Sequence, residues 1–258
     1  MIDFTPQLRV AERAARSAGD FLRRHFREPL PVEEALAHDI KLRLDKETQQ
    51  LIESELLRAY PTYAILGEEG RTASAGAPEW IVDPIDGTVN YFYGIPLFCV
   101  SIALRVQGKV VLGCVYDPMQ DECFSALANG PALCNGCKIS VSGRSEMREA
   151  VVFVGHGTHD GSGQAGLERF AHISAQVRKI RILGTAALTL CYIAAGRFDA
   201  YIENRINLWD FAAAALILER AGGQFVFTPL DDAAEKGAVM AWNGVLPLPQ
   251  AAIVSPEL

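Results

Sequence analysis

The sequence predicts an α+β or α/β fold in which layers of helices and sheets stack on one another. The first observation is a run of short apolar strands within the first 150 residues, preceded by two helical segments. The second is a change to alternating strands and helices after about residue 150. No linker, repeat or low-complexity tract separates the halves, so we expect one domain over residues 1–258 with sub-lobes at roughly 1–150 and 151–258.

Two helices are predicted near the N-terminus. Residues 5–27 carry apolar side chains at helical spacing, with Thr5 as a plausible cap and Pro6 in the first turn. A second helix is expected over residues 45–60, where Pro61 ends it.

Further strands and helices are predicted along the rest of the chain. Short strands are predicted at "AIL" and "WIVD", then three consecutive antiparallel strands with Gln107-Gly108 as the first turn. The second half reads as strand, helix, strand, helix, strand, helix, with glycines ending the last two helices. The segments are "LFCVSIALRV", "VVLGCVYD" and "ECFSAL" in the first half, then "AVVFV", 164–176, "KIRIL", 185–195, "FDAYIE" and 209–221.

Composition narrows the classes of function. The formal net charge of −7 argues against nucleic acid as a partner. No apolar run approaches the ~20 residues that a spanning helix needs, which argues against a membrane protein. The N-terminus carries both charge signs and has no apolar stretch typical of a signal peptide, so a cytoplasmic location is expected.

The six cysteines predict reduced thiols rather than a disulfide framework, because most lie in apolar runs. Cys134-Asn135-Gly136-Cys137 fits a CxxC pattern, but no second pair or histidine cluster completes a zinc site. Since Asn-Gly strongly favours a hairpin turn, we interpret this segment as a turn rather than a metal or redox motif.

Four carboxylates lie where apolar segments end. Glu68 follows "AIL", Asp83 and Asp86 follow "WIV", and Asp210 opens a helix. Each also has a plain structural interpretation: a solvated turn, an Asp-Gly turn, or a charge favoured by the helix dipole. Together they indicate a site, because buried carboxylates repel one another unless cations compensate them.

Hard divalent cations with oxygen ligands provide that compensation, and Mg²⁺ suits carboxylates together with phosphate oxygens and water. Two such ions clamp the attacking and leaving oxygens of a phosphoryl displacement. Pro84 is expected to stiffen an Asp-x-x-Asp turn. Gly87 would let the backbone approach a ligand, and Thr88 offers a hydroxyl and an N–H to phosphate.

Two other acidic motifs fit less well. An EF-hand loop counted from Asp83 needs a glutamate at its twelfth position, where this chain has Gly94. Haloacid-dehalogenase phosphatases carry Asp-x-Asp-Gly-Thr near the N-terminus. Here the spacing is one residue longer, and the motif lies a third of the way along the chain.

The sequence resembles the inositol monophosphatase family, within the Mg²⁺-dependent, Li⁺-sensitive sugar phosphatases. The resemblance spans nearly the whole chain in the family's order, and the pairing of Asp-Pro-Ile-Asp-Gly-Thr with a downstream Trp-Asp helix is highly specific. The segments that carry it are "GEEG" (67–70), "WIVDPIDGTVNYFYGIPLFCVSIAL" (80–104), "LCNGCKISVS" (133–142), "GTAAL" (184–188), "FDAYIE" (198–203) and "WDFAAAALILERAGG" (209–223).

This resemblance implies an α-β-α-β-α layered sandwich, a homodimer, and two or three Mg²⁺ ions as cofactor. It implies phosphate binding by Gly87 and Thr88, and positioning of a metal-activated water by Glu68 and Thr88, with Thr88 hydrogen-bonded to Asp45. Without the family, Asp45 would be interpreted as a helix N-cap. The implied metal ligands are Glu68, Asp83, Asp86, Asp210 and the backbone carbonyl of Ile85.

The sequence departs from the family pattern in several places. Leu42 and Leu44 stand where a threonine usually precedes Asp45, and Ala214 replaces a common glycine. The segment "VGHGTHDGSG" (154–163) is unusual; we interpret its His156 and His159 as parts of a loop without a chemical role. The last residues given, "AAIVSPEL", are not expected to form the family's customary last helix.

The function expected on these grounds is hydrolysis of a small phosphate monoester resembling inositol monophosphate. Asp86, Ala186 and Glu203 would form the substrate pocket, since the Glu203 carboxylate accepts hydrogen bonds from hydroxyls. Fructose 1,6-bisphosphate, histidinol phosphate and nucleotide 3′-phosphates are alternative substrates of the same fold. A noncatalytic metal- or phosphate-binding regulator is the alternative from another class.

Overall fold

A computed structural model describes residues 2–28, 32–35, 40–72, 76–155, 163–230 and 232–248. Its helices are α1 (Thr5–His25), α2 (Arg43–Ala59), α3 (Thr88–Phe92), α4 (Gly163–Ser174), α5 (Ala186–Ala194) and α6 (Leu208–Arg220). Its strands are β1 (Val32–Ala35), β2 (Ile40–Leu42), β3 (Ala64–Gly67), β4 (Gly70–Thr72), β5 (Glu79–Asp86), β6 (Cys99–Val106), β7 (Lys109–Asp117), β8 (Glu122–Leu127), β9 (Leu133–Cys134), β10 (Cys137–Lys138), β11 (Val151–Val154), β12 (Lys179–Arg181), β13 (Ala200–Asn207), β14 (Gln224–Pro229) and β15 (Lys236–Trp242).

The strands form two large sheets and one small ribbon. The first sheet has the order β10-β9-β8-β7-β6-β5-β3-β4 and is antiparallel except where β3 and β5 run parallel. The second has the order β12-β11-β13-β15-β14, with parallel pairing of β11 to both β12 and β13. The ribbon pairs β1 with β2.

Three apolar cores fill the spaces between five layers of the described residues, and one of these cores surrounds the middle layer on both faces. Helices α1 and α2 pack on the outer face of the first sheet, around Leu22, Ile52 and Trp80. Helices α5 and α6 fill the space between the two sheets. Helix α4 packs through Ile173 on the outer face of the second sheet, beside Val152. The predicted α-β-α-β-α sandwich is therefore confirmed.

The N-terminal helix differs from its prediction at the cap. Phe4, not Thr5, is the N-cap residue of α1, and its side chain makes no capping hydrogen bond. The Asp3 carboxylate instead accepts the Thr5 N–H at 2.9 Å. A carboxylate two residues before the helix thus satisfies a donor that lacks an intrahelical acceptor.

Both predicted hairpin turns are confirmed, with positive φ at each of the two turn residues: Gln107 (49°) and Gly108 (76°), then Asn135 (48°) and Gly136 (78°). This is the conformation that two-residue hairpins favour. All six cysteines are free, and four are buried; Cys137 is exposed. Five of these strands were not predicted from the sequence: β1, β2, β4, β14 and β15.

The middle layer approaches the first sheet closely at Gly113. A Cβ built on this β7 residue would lie 2.3 Å from the carbonyl oxygen of Ala213 in α6. The run Ala212 to Ala215 carries only methyl side chains, so the helix backbone can lie directly on the strand.

Gly113→Ala should therefore destabilise the fold, because α6 must move away from the sheet. We expect the free energy of unfolding to fall by about 1–3 kcal/mol, measured by denaturant titration. Gly143→Ala is the control, since a Cβ there meets nothing within 4 Å. Equal effects of the two substitutions would contradict the close approach.

Candidate metal and phosphate site

Strand β5 carries two of the predicted carboxylates at its end. A turn was expected over residues 83–86, but this segment stays within the strand. The register against β6 shifts between Asp83 and Asp86, an irregularity that accommodates Pro84. The turn prediction is therefore wrong in form, although both carboxylates still come together.

Asp83 lies at the centre of the acidic cluster. It is 2% exposed, and its carboxylate accepts the Ile85 N–H at 3.0 Å. Burial raises the pKa of Asp83 well above its ordinary value, and the charges of Glu68, Asp86 and Asp210 raise it further. The structure thus brings the other three predicted carboxylates within electrostatic reach of Asp83.

Asp86 lies against the N-terminus of α5, about 100 residues further along the chain. Its carboxylate accepts the Ala186 N–H at 3.2 Å, the Ala187 N–H at 2.7 Å and the Thr185 hydroxyl. Burial raises the pKa of Asp86, while these hydrogen bonds oppose the rise. Ala186 is expected near the substrate, whereas Thr185 was not predicted as a site residue, because its contact with Asp86 depends on the tertiary fold.

Glu68 occupies the two-residue turn between β3 and β4. Its N–H donates to the Val82 carbonyl at 3.2 Å, which extends the parallel pairing of β3 with β5. The next N–H, of Glu69, donates to the Gln49 Oε1 of α2 at 2.9 Å. Gly67 lies so close to the Gln49 amide that an added Cβ would be 2.4 Å away. Gln49 therefore supports the turn that presents Glu68.

Asp210 is the third residue of α6. Its carboxylate accepts the backbone N–H of Asn207 at 3.0 Å and the Asn207 side-chain amide at 3.3 Å. This arrangement supports the structural interpretation as a helix-end charge. The electrostatic effect on Asp83 supports the site interpretation as well, so the two roles coexist in one side chain.

Gly87 follows Asp86 in a conformation that favours glycine, with φ at 102°. An added Cβ would approach the carbonyl oxygens of Leu97 at 3.0 Å and Gly184 at 3.3 Å. Residues with side chains would therefore be strained at this position. The N–H of Thr88 opens α3, and N–H groups of a first helical turn have no intrahelical acceptor.

Thr88 does not make the expected contact with Asp45. Its hydroxyl donates to the Ile85 carbonyl at 3.0 Å, an acceptor only three residues back along the chain. Asp45 is buried in the first turn of α2, two residues after the helix begins, rather than at its N-cap. The N-cap interpretation and the Thr88–Asp45 hydrogen bond are therefore wrong, while a role of Asp45 at the site stays a prediction.

Glu203 lies on β13, which continues beyond the predicted end at this residue and pairs irregularly with β15 between Glu203 and Ile206. Its carboxylate lies directly over Gly155, where an added Cβ would come within 1.4 Å of Oε2. Burial raises the pKa of Tyr201, and the charges of Glu203, Asp86 and Asp210 raise it further. Glu203 therefore borders the acidic cluster.

The departures noted in the sequence have mixed outcomes. Ala214 is fully buried in α6, where it belongs to the core between the sheets. His156 and His159 lie outside the described residues, as do the side chain of Leu42 and the C-terminal residues 249–258.

Comparison with known proteins decides the family. The inositol monophosphatase family model matches residues 3–252. The chain belongs to the inositol monophosphatase family. It is 40% identical over 223 residues to an inositol-1-monophosphatase of Rhizobium meliloti, covering 84% of this chain and 83% of that protein. It is 38% identical over 248 residues to the Nus factor SuhB of Pseudomonas aeruginosa, covering 92% of each.

A solved structure supports the same assignment. The extragenic suppressor protein SuhB from Bartonella henselae superposes with a TM-score of 0.88 at 35% identity, covering 93% of this chain and 95% of that one. Among the described residues, no helix is long and apolar enough to cross a membrane. Because these relatives carry different names, membership of the inositol monophosphatase family does not by itself assign a substrate.

Members of the inositol monophosphatase family are generally metal-dependent, and the chemistry of the cluster fits a hard cation. Within the described part of the chain, neither Asp83 nor Asp86 forms an ion pair with Lys or Arg. In the same residues, no three acidic, thiol or imidazole groups converge tightly enough to hold an ion. The donor types and charge therefore fit, while closer convergence requires the carboxylates to move.

The raised pKa of Asp83 predicts how metal-free stability depends on pH. The folded protein retains a proton that the unfolded chain releases at its ordinary pKa of about 4. The corresponding stabilisation is fully present below that pH and is lost as the pH rises through the higher folded pKa. In a chelating buffer, we expect the free energy of unfolding to fall as the pH is raised from about 4.

Asp83→Asn should flatten this dependence, because an amide does not ionise. Denaturant titrations of wild type and variant across that pH range provide the measurement. Asp232→Asn, at an exposed position, is the control and should keep the wild-type slope. Equal slopes for Asp83→Asn and wild type would contradict the prediction.

Proposed function

We propose that the protein hydrolyses a small phosphate monoester in a Mg²⁺-dependent reaction. The observation that carries this proposal is the buried Asp83 within electrostatic reach of Glu68, Asp86 and Asp210, beside the Gly87–Thr88 turn. Carboxylates attract divalent cations, and exposed backbone N–H groups attract phosphate oxygens. One small site thus offers partners to both the metal and the anion.

The metal would be held by the carboxylates of Glu68, Asp83, Asp86 and Asp210, together with the Ile85 carbonyl. Oxygen donors of this kind suit two or three Mg²⁺ ions that share ligands with a substrate phosphate. When bound, Mg²⁺ supplies Lewis-acid chemistry, lowering the pKa of water and stabilising charge on the leaving oxygen.

The protein's own groups orient the reactants. The N–H groups of Gly87 and Thr88 would bind the phosphate oxygens. Because the Thr88 hydroxyl donates to Ile85, its oxygen remains available to accept a hydrogen bond from the attacking water. The Glu68 carboxylate would accept the proton of that water. We assign no proton transfer to Asp45, because the Thr88 hydroxyl donates to the Ile85 carbonyl instead.

Glu203 points to a polyol phosphate as the substrate. Its carboxylate accepts hydrogen bonds from hydroxyl groups and repels a second phosphate, which disfavours fructose 1,6-bisphosphate. The Ala186 backbone, at the start of α5, would pack beside the same sugar ring. The name of the Rhizobium relative agrees with inositol 1-phosphate as the substrate. Histidinol phosphate and nucleotide 3′-phosphates are the competing monoesters.

A second candidate function is that of a noncatalytic regulator that retains the fold. The name Nus factor among the relatives favours a role of this kind. The retained acidic residues disfavour it, since a protein without metal chemistry has no need to bury Asp83 among like charges. The expected homodimer and cytoplasmic location stay predictions, and light scattering of the purified protein tests the first.

A panel of phosphate esters separates the two candidate functions. We expect hydrolysis with Mg²⁺, loss of activity in EDTA, recovery on Mg²⁺ addition and inhibition by high Ca²⁺, whose looser coordination distorts the site. Li⁺ inhibition is expected from the family resemblance. Asp210→Asn should abolish turnover while the thermal melt stays near wild type. Absence of turnover on every ester would favour the regulator.

Glu203→Ala should lower kcat/KM for inositol 1-phosphate by about ten- to hundredfold, since a hydrogen bond to a charged group contributes ~1.5–3 kcal/mol. An aryl phosphate, which presents no hydroxyl, should be hydrolysed at nearly the wild-type rate. Gly155→Ala should reproduce this selective loss, because its methyl group displaces the Glu203 carboxylate. Equal losses on both esters would assign Glu203 to the metal site or the fold.

A further inference from the structure

Two of the four carboxylates are presented by elements that belong to different layers. Glu68 lies in the hairpin of β3 and β4 at one edge of the first sheet. Asp210 lies in the first turn of α6, between the sheets. Their separation therefore depends on contacts that join the hairpin to the start of the helix.

An ion pair makes such a contact. Arg71, in β4, pairs with the carboxylate of Glu235, which lies just before β15. Arg71 is three residues beyond Glu68 in the same tight hairpin and lies opposite Leu66 in its register. Movement of the Arg71 backbone would therefore move the Glu68 turn.

Glu235 is in turn attached to the helix that carries Asp210. Its carbonyl oxygen accepts the N–H of Leu208, the first residue of α6, at 2.8 Å. That N–H belongs to the helical turn that lacks intrahelical acceptors, so Glu235 completes the helix start. Asp210 is two residues further along and is oriented by Asn207.

We infer that the Arg71–Glu235 ion pair is a latch that sets the distance between the Glu68 hairpin and the Asp210 helix. Both residues are positioning residues: each acts through the backbone of its neighbour and does not touch the reacting atoms. The predicted effect of the ion pair on turnover rests on the proposed function. The predicted effect of the ion pair on the hairpin is independent of that function.

The expected size of the effect follows from exposure. The Arg71 and Glu235 side chains are 48% and 25% exposed. Ion pairs at such positions contribute ~0.2–1 kcal/mol, which corresponds to a change of up to about fivefold in an opening equilibrium. The ion pair is weak, but its location gives it an effect on the site. When the pair is broken and the β3–β4 hairpin moves away from α6, Glu68 moves away from the other carboxylates.

A mutant cycle tests the latch. Arg71→Gln, Glu235→Gln and the double variant are compared with the charge-swapped Arg71→Glu/Glu235→Arg, which keeps the net charge. We expect each single substitution to lower kcat/KM with Mg²⁺ by about two- to fivefold, the double to resemble a single, and the swap to recover most of the loss. Raising the ionic strength should bring wild type toward the double variant.

Hydrogen exchange of the metal-free protein gives a second readout. The N–H groups of Glu68 and Glu69 are bonded to Val82 and Gln49, so they exchange when the hairpin opens. We expect about two- to fivefold faster exchange at these amides in the single variants and recovery in the swap. If the protein proves not to be a phosphatase, this measurement still tests the latch.

The Arg197–Glu122 pair is the matched control, because its side chains are 42% and 20% exposed and the Arg197 guanidinium lies over the rings of Phe124 and Tyr192, which are not candidate site residues. Arg197→Gln/Glu122→Gln should leave the Glu68 and Glu69 exchange rates and kcat/KM unchanged. Unchanged exchange in the Arg71 and Glu235 single variants would overturn the latch. Additive losses of kcat/KM in the double variant would also overturn the latch. The same holds if the charge-swapped variant shows amide exchange as fast as the single variants.

Discussion

The burial of Asp83 among like charges is the constraint on which the rest of the site depends. A carboxylate that is almost inaccessible to water and has three others nearby is held by the fold around it, not by its own preference. Among the described residues, no lysine or arginine neutralises it. Among those residues it accepts one hydrogen bond, from the Ile85 N–H, so burial and repulsion raise its pKa and favour the protonated carboxyl in the metal-free fold.

Hydrogen-bond donors partly compensate the negative charge of two neighbouring carboxylates, Asp86 and Asp210. Asp86 gains three donors at the start of α5, and Asp210 gains the Asn207 backbone N–H within its own capping arrangement. Donors directed at a carboxylate favour its charged form, so they oppose the rise that burial causes in the pKa of Asp86. The site therefore combines a strongly disfavoured charge at Asp83 with two carboxylates that accept hydrogen bonds at helix starts.

The layered architecture explains why these groups meet. Strand β5 ends in the first sheet, α5 and α6 begin between the sheets, and β13 bends in the second sheet. Each of these layers thus contributes the end of a strand, the start of a helix or a shift in strand register. At such places side chains and backbone groups lie outside the regular hydrogen bonding of the sheet or helix. The close contact of Gly113 with α6 holds the helix that carries Asp210 directly against β7 of the first sheet.

Local signals in the sequence determined much of the fold: the helical spacing of α1 and α2, the turns at Gln107-Gly108 and Asn135-Gly136, and the strand–helix alternation after residue 150. They also determined which carboxylates end apolar segments. Strands β14 and β15 and the positioning residues Gln49, Thr185 and Asn207 escaped prediction. Tertiary structure alone decided that Asp86 meets a helix start about 100 residues away and that Arg71 pairs with Glu235. Periodicity and turn chemistry act between neighbours in the chain, whereas these contacts depend on how separate layers pack, which no short segment encodes.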